Sequence, residues 1–98
     1  MTNTTIKKNI VRGKFVVAND RGMHTRPCTE LVRCANHFRA KVCLKHQKMS
    51  VNAKSLLGTL MLAATKGSRI TIEAEGEDAE QAVASIIALA QNNFNMHY

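Results

Sequence analysis

The stretch Gly22-Met23-His24-Thr25-Arg26-Pro27-Cys28 marks a change from loop to helix. It places a histidine and an arginine just before a proline. Asn19 to Gly22 is rich in turn-forming residues, which predicts a loop. Pro27 fits the first position of a helix, where its missing N–H costs nothing and its φ is preset. Apolar residues then recur at helical spacing and predict a helix that ends near Phe38 or Arg39: Cys28, Leu31, Val32, Ala35 and Phe38.

Four short segments have the pattern of β-strands. Lys14 to Ala18 is rich in β-prone residues, and Ala40 to Lys45 alternates with Val42 and Leu44 on one side. A polar turn leads to a weaker third strand over Met49 to Ala53. The alternation in Arg69 to Glu75 is the clearest of the four and predicts the last strand.

Two further helices complete the pattern. Ser55 is a favoured N-cap residue and opens an apolar run that Lys66-Gly67 stops. That run is too apolar to be buried on every side in a small protein, so we expect one of its faces to be exposed. Asp78 and Gln81 have the spacing of a capping box before a third amphipathic helix. The order βαββαβα predicts an α+β fold with a mainly antiparallel sheet.

Size and composition favour one small cytoplasmic domain. The chain has 98 residues, 45% of them hydrophobic, and no run approaches the ~20 apolar residues of a membrane span. The first residues lack the apolar core of a signal peptide. We expect a domain over residues 1–98 with a polar, basic arm at 1–13 and a core at about 14–92. Three cysteines and four histidines, not at zinc-site spacing, predict neither a disulfide framework nor a metal or cofactor site.

Charge is distributed unevenly along the chain. All 14 lysines and arginines lie at or before Arg69, with only two acidic residues there, whereas five acidic residues follow from Ile70 onward. A positive field attracts anions and acidic proteins. A merely solubilising surface is the simpler interpretation for most of these residues, and a nucleic-acid-binding module is a third. Only four aromatic residues are present, and none is interleaved with the basic residues to stack bases.

His24 and Arg26 have the chemistry needed to accept a phosphoryl group. A neutral imidazole can attack phosphorus through a ring nitrogen, and a helix N-terminus favours the resulting anion. The guanidinium of Arg26 can add charge-assisted, bidentate hydrogen bonds. Cys28, four residues after His24, raises the alternative of a nucleophilic cysteine enzyme, although its place on the apolar stripe favours a buried, inert thiol.

Two signatures resemble the HPr family, the histidine-containing phosphocarriers of the phosphoenolpyruvate-dependent sugar phosphotransferase system. The first is Gly22 to Pro27, and the second is Asn52-Ala53-Lys54-Ser55-Leu56-Leu57-Gly58. Ile72 to Asp78 is similar to the family's last strand and the turn into its final helix. The resemblance extends from about Lys14 to about Asn92. It implies an open-faced sandwich, with four antiparallel strands and three helices on one face.

The same resemblance implies roles for particular residues. His24 would receive a phosphoryl group on Nδ1 from enzyme I and pass it to an enzyme IIA domain, so that the protein is a carrier and not an enzyme. Arg26 would stabilise the phosphoryl group. The other residues that match the family's pattern would form the surface on which these partners dock: Thr25, Arg33, Leu56, Leu57 and Leu60.

Ser55 matches the position that HPr kinase/phosphorylase modifies in families with that regulation. A simple helix-capping role for Ser55 has equal weight from the residues alone. A monomer is expected of a carrier that must leave its partners quickly, with no nucleic acid bound and no membrane insertion. A paralogue that regulates without serving sugar import is the alternative within the family.

Overall fold

A four-stranded antiparallel sheet, with three helices packed against one of its faces, forms the structure. A computed structural model describes residues 10–96. The strands are β1 (Ile10–Val16), β2 (Lys41–His46), β3 (Met49–Asn52) and β4 (Arg69–Glu75), and the helices are α1 (Thr25–Ala35), α2 (Leu56–Met61) and α3 (Ala79–Gln91). A short 3₁₀ turn, Asn93–Asn95, follows α3. The predicted order and α+β class are confirmed.

The sheet has the strand order β1-β4-β2-β3, and alternation along each strand gives it one apolar face. The buried side chains on that face lie beneath the helices: Phe15, Val42, Leu44, Ile70, Ile72 and Ala74. Alternate residues lie on the opposite face, which no described helix covers. There Arg12 and Lys45 both pair with Glu73, at 2.9 and 3.0 Å.

The first strand begins earlier than the sequence predicts. β1 covers Ile10–Val16, not Lys14–Ala18, because Ile10 pairs with Glu75 and the pairing continues to Val16 and Arg69. Residues 10–13 of the predicted arm are therefore strand. Two of them, Ile10 and Val11, are apolar, and the four residues pair with residues 72–75 of β4. The arm's other residues, 1–9, lie outside the described part of the chain.

The first helix is displaced toward the N-terminus. It runs Thr25–Ala35, so Pro27 is its third residue and not its first. Proline is tolerated throughout a first turn, where an N–H has no partner within the helix. Asn36 ends the helix, and Phe38 packs against the core from the turn that follows.

The second helix is shorter than its apolar run. It ends at Met61, and Ala63 adopts a left-handed conformation with φ 47°. Leu62 and Ala64 are consequently buried, at 5% and 3% exposed. The bounds of β2 and β3 differ from the predictions by one residue, and β4 is as predicted.

The predicted capping box of the third helix is wrong. Asp78 precedes α3, but its side chain does not cap the helix. Its two carboxylate oxygens instead accept hydrogen bonds from the backbone N–H groups of Arg39 and Ala40, both at 2.9 Å. Asp78 thereby holds the start of β2 against the start of α3.

Candidate functional site

The loop before α1 requires a glycine at position 22. Gly22 has φ +70°, and a Cβ there would overlap the carbonyl oxygen of Ala64 and lie 2.9 Å from Cα of Thr65. The next residue, Met23, is buried and donates its backbone N–H to Ala64 O at 2.8 Å. The segment after α2 therefore fixes the path of the chain into His24.

Asn19 closes the same loop from within. Its side chain is only 6% exposed, and its Nδ2 donates to Gly22 O. The N–H of Gly22 donates back to Asn19 O at 3.0 Å, and the N–H of His24 also donates to Gly22 O, at 3.1 Å. Nothing in the sequence pattern distinguishes Asn19 from the other turn residues, because its burial results from the closed loop.

His24 is the N-cap residue of α1. Its backbone is extended, with φ −103° and ψ −170°, and its carbonyl oxygen accepts the first helical hydrogen bond from Cys28 N at 3.1 Å. The imidazole does not cap the helix. Its Nε2 is buried without a hydrogen-bond partner among the described residues, while the side chain as a whole is half-exposed. Nε2 is thus the ring nitrogen that the protein encloses.

The first turn of α1 presents unused donors beside His24. The N–H groups of Thr25 and Arg26 have no i−4 partner within the helix, and no described residue accepts a hydrogen bond from them. The third residue is Pro27, which has no N–H. The side chain of Arg26 is exposed and forms no ion pair with a described carboxylate. The chain therefore places positive potential at this terminus.

Cys28 lies close in sequence to His24 but is not a nucleophile in this structure. It is 0% exposed. Burial raises the pKa of the Cys28 thiol, and a hydrogen bond with Thr59 only partly offsets that effect. A buried, protonated thiol cannot attack a substrate, so the geometry disfavours the cysteine-enzyme alternative.

The second signature builds the turn into α2. Ser55 is the N-cap of that helix, as predicted, and its Oγ accepts a hydrogen bond from Gly58 N at 3.1 Å. The N–H of Lys54 donates to Asn52 Oδ1 at 2.9 Å, and Lys54 Nζ donates to Phe38 O at 2.6 Å. These bonds join the start of α2 to the turn that follows α1.

One side of α2 is an exposed apolar patch made of Leu56, Leu57 and Met61, which we call the α2 patch. Their exposed fractions are 39%, 69% and 57%. The prediction of an exposed apolar face on this helix agrees with that arrangement. Leu60 instead packs partly against the core, and Met61 is the member that the motif comparison missed.

The two other docking candidates lie at opposite ends of α1. Thr25 is the first residue of the helix and is exposed next to His24. Arg33 is in the last turn, roughly 12 Å further along the axis at 1.5 Å per residue. It is exposed and pairs with Glu30 at 3.3 Å. The structure does not bring Arg33 to His24.

Comparison with known proteins identifies the family of the chain. A family model described as "PTS HPr component phosphorylation site" matches residues 11–92. The chain belongs to the HPr family. A phosphocarrier protein HPr from Xylella fastidiosa is 34% identical over 82 residues, which cover 84% of this chain and 92% of that relative. One from Cupriavidus necator is 36% identical over 78 residues, covering 80% and 88%.

A solved HPr structure has the same fold. The crystal structure of HPr from Thermoanaerobacter tengcongensis superposes with a TM-score of 0.84 at 27% identity, over 90% of this chain and 99% of that one. The HPr family consists of phosphocarriers and not catalysts. Among residues 10–96, no helix is long and apolar enough to cross a membrane, and no cluster of three metal-ligating side chains occurs.

Proposed function

We propose that this protein carries a phosphoryl group on His24, receiving it from enzyme I and passing it to an enzyme IIA domain. The observation that carries the proposal is the setting of the imidazole at the start of α1. Nε2 is buried, which leaves Nδ1 as the nitrogen we assign to the reaction, and the two free N–H groups of Thr25 and Arg26 lie at the same helix terminus.

The transfer step follows from that setting. The lone pair of Nδ1 attacks phosphorus, an N–P bond forms, and the bond between phosphorus and its atom on enzyme I breaks. The electron pair of the broken bond stays with enzyme I. The phosphoryl oxygens then carry negative charge beside the N-terminus of α1, where backbone donors stabilise anions. Arg26 adds charge-assisted hydrogen bonds to the same oxygens.

Docking is assigned to the α2 patch and to the exposed residues at the start of α1. An apolar patch on a chain of formal net charge +7 suits a transient partner that is acidic at its rim, because rim charges mainly raise the rate of encounter. Thr25 and Arg26 would contact the partner nearest to the transferred group. Arg33 would act at the far end of α1, and the half-buried Leu60 would support the patch from below.

Intact-mass analysis tests the proposal directly. The protein is incubated with enzyme I and phosphoenolpyruvate, and then with an enzyme IIA domain. We expect one acid-labile phosphoryl group on the wild type, its loss on adding the IIA domain, and none on His24→Ala. His37→Ala is the matched control, because that exposed histidine lies at the other end of α1. Failure of the wild type, with enzyme I active on another carrier, would overturn the proposal.

The second step separates the two candidate roles within the family. A carrier for transport gives its phosphoryl group to an enzyme IIA domain. A purely regulatory paralogue would accept the group from enzyme I and retain it in the presence of every IIA domain tested. The same mass measurement, followed with time, distinguishes them.

We also propose that Ser55 is a site of regulatory phosphorylation by an HPr kinase/phosphorylase. Ser55 Oγ accepts from Gly58 N, and its side chain is half-exposed beside Leu56. A phosphate there would add about −1.5 to −2 charges next to the α2 patch. That charge would repel an acidic partner at the surface where it docks.

Fragment mass spectrometry after incubation with the kinase and ATP tests this second proposal. Modification of Ser55, with slower acceptance of a phosphoryl group from enzyme I, is the expected result. Ser50→Ala is a suitable control, since Ser50 is exposed on β3. An unmodified Ser55 would leave helix capping as its role.

A further inference from the structure

We propose that the outer edge of β1 binds an extended acidic segment of a partner protein as a fifth strand of the sheet. β1 lies at the end of the strand order and pairs only with β4 among the described residues. It is seven residues long, and an uncovered edge of that length presents a row of backbone donors and acceptors.

The orientation of the unpaired groups follows from the bonds at the end of the strand. Val17 directs both its N–H and its carbonyl toward the β4 side, to Ser68 O at 2.9 Å and Gly67 N at 2.7 Å. Because successive residues alternate, Arg12, Lys14 and Val16 direct their backbone groups to the outer edge. The side chains of these three residues lie on the uncovered face of the sheet.

Charge selects the strand that can pair there. Lys14 on β1 and Arg69 on β4 are exposed, and neither forms an ion pair with a described residue. A strand added beside β1 would place its own side chains opposite Lys14, where unlike charges attract and like charges repel. A second copy pairing through β1 would bring cationic side chains together, so an acidic strand fits better.

A groove next to this edge can bury the apolar side chains of the added strand. A cavity of about 590 Å³ is lined in part by apolar side chains and in part by two cations: Phe15, Val16, Ile87 and Ala90, with Lys14 and Arg69. Residues of an extended segment alternate between two faces. Acidic side chains of the segment can therefore approach Lys14 and Arg69, which also line the cavity, while alternate apolar side chains contact Phe15, Ile87 and Ala90.

The groove also leads toward the phosphoryl site. An adjoining cavity of about 570 Å³ shares Ala18, Ala90 and Gln91 with it and is lined by Asn19 and Arg21 of the loop before His24. The α2 patch lies elsewhere, so a segment held along β1 leaves that patch free. The structure thus has room for a tethering partner and a phosphotransfer partner at once.

Fluorescence anisotropy with a synthetic peptide tests the inference. The labelled probe matches β1 in length and alternates glutamate with valine. One comparison peptide has the same composition with all glutamates first, and another carries N-methyl groups on alternate amides. We expect the alternating peptide to bind and both comparison peptides to bind at least about tenfold more weakly, because each loses register or backbone pairing.

Protein variants locate the binding. Lys14→Glu is expected to lower the affinity for the alternating peptide by about tenfold or more. Lys14→Gln should lower that affinity by less. Lys48→Glu is the matched control, because Lys48 is exposed in the turn between β2 and β3 at the other edge of the sheet, and it should bind like the wild type.

Four results would overturn the inference. The first is equal binding of the alternating peptide, the peptide with all glutamates first and the N-methylated peptide. That result would indicate that charge alone drives binding. The second is unchanged binding by Lys14→Glu. The third is light scattering that shows a dimer broken by Lys14→Glu, which would place a second copy at this edge. No detectable binding of any peptide to the wild type would equally reject it.

Discussion

At the scale of single residues, the site depends on a backbone conformation that only glycine adopts without strain. Gly22 has φ +70° and meets the segment after α2 at Ala64 and Thr65. Asn19 and Met23 hold the loop on either side of it. The position of His24 therefore depends on neighbours that take no part in the proposed phosphoryl chemistry.

Gly22→Ala should both destabilise the fold and impair phosphorylation of His24. A left-handed conformation costs a non-glycine residue about 1–3 kcal/mol, and here the added Cβ also overlaps backbone. Gly67→Ala is the control: Gly67 has φ +90°, but a Cβ there meets nothing within 4 Å. Urea unfolding should show a larger loss for Gly22→Ala than for Gly67→Ala, and equal losses would contradict the steric argument.

Asp78 should make the fold sensitive to acid. Hydrogen bonds from the backbone of Arg39, and then of Ala40, hold the pKa of its carboxyl below the usual value. A lowered folded-state pKa stabilises the protein above the unfolded value of about 3.9. That stabilisation is lost as the pH falls through the folded-state pKa.

Urea unfolding from neutral to acidic pH tests this role of Asp78. The wild type should be more stable than Asp78→Asn at neutral pH, and the difference should shrink on acidification. Glu77→Gln is the comparison, because exposed Glu77 accepts no hydrogen bond from the described residues. A difference between wild type and Asp78→Asn that does not vary with pH would show that the charge of Asp78 is unimportant.

At the scale of elements, the exposed and buried residues of the α2 segment predict separable roles in folding and docking. Leu57 is 69% exposed and Leu62, just after the helix, is 5% exposed. Leu62→Ala should cost about 2–5 kcal/mol of unfolding free energy. Leu57→Ala should change stability by less than about 0.5 kcal/mol but slow phosphoryl transfer from enzyme I. Unchanged transfer kinetics in Leu57→Ala would remove the α2 patch from the docking surface.

Elements with a strong local pattern were predictable from the sequence, and those set by distant contacts were not. β4 has the predicted bounds because Ile70, Ile72 and Ala74 alternate without interruption. Residues 10–13 become strand only through pairing with β4. The end of α2 depends on the left-handed Ala63 and the bond between Ala64 O and Met23 N.

The same distinction applies to the candidate site. A short motif indicates His24 and Arg26, because their chemistry and their place before a helix are visible in the sequence. The roles of Asn19 and Met61 depend on burial and exposure in the folded chain. Asp78 has the spacing of a capping residue, but Arg39 and Ala40 compete successfully for its carboxylate.

At the scale of the whole molecule, the formal net charge is +7, and much of it lies on exposed side chains around the sheet and the site. A positive field accelerates encounter with acidic partners, and salt screens that field. The Debye length falls from about 30 Å to about 8 Å between low and physiological ionic strength. The bimolecular rate of phosphoryl transfer from enzyme I should therefore decrease as salt is added.

Rapid-mixing kinetics over a range of salt concentrations measures that decrease. Arg21→Gln and Lys66→Gln should each lower the rate at low salt and flatten its salt dependence, since Arg21 lies in the loop before His24 and Lys66 pairs with Asp20 of that loop at 2.8 Å. Lys48→Gln, at the far edge of the sheet, removes the same charge and should have a smaller effect. If all three variants behave alike, net charge alone governs the encounter; a wild-type rate that does not respond to salt would exclude electrostatic steering.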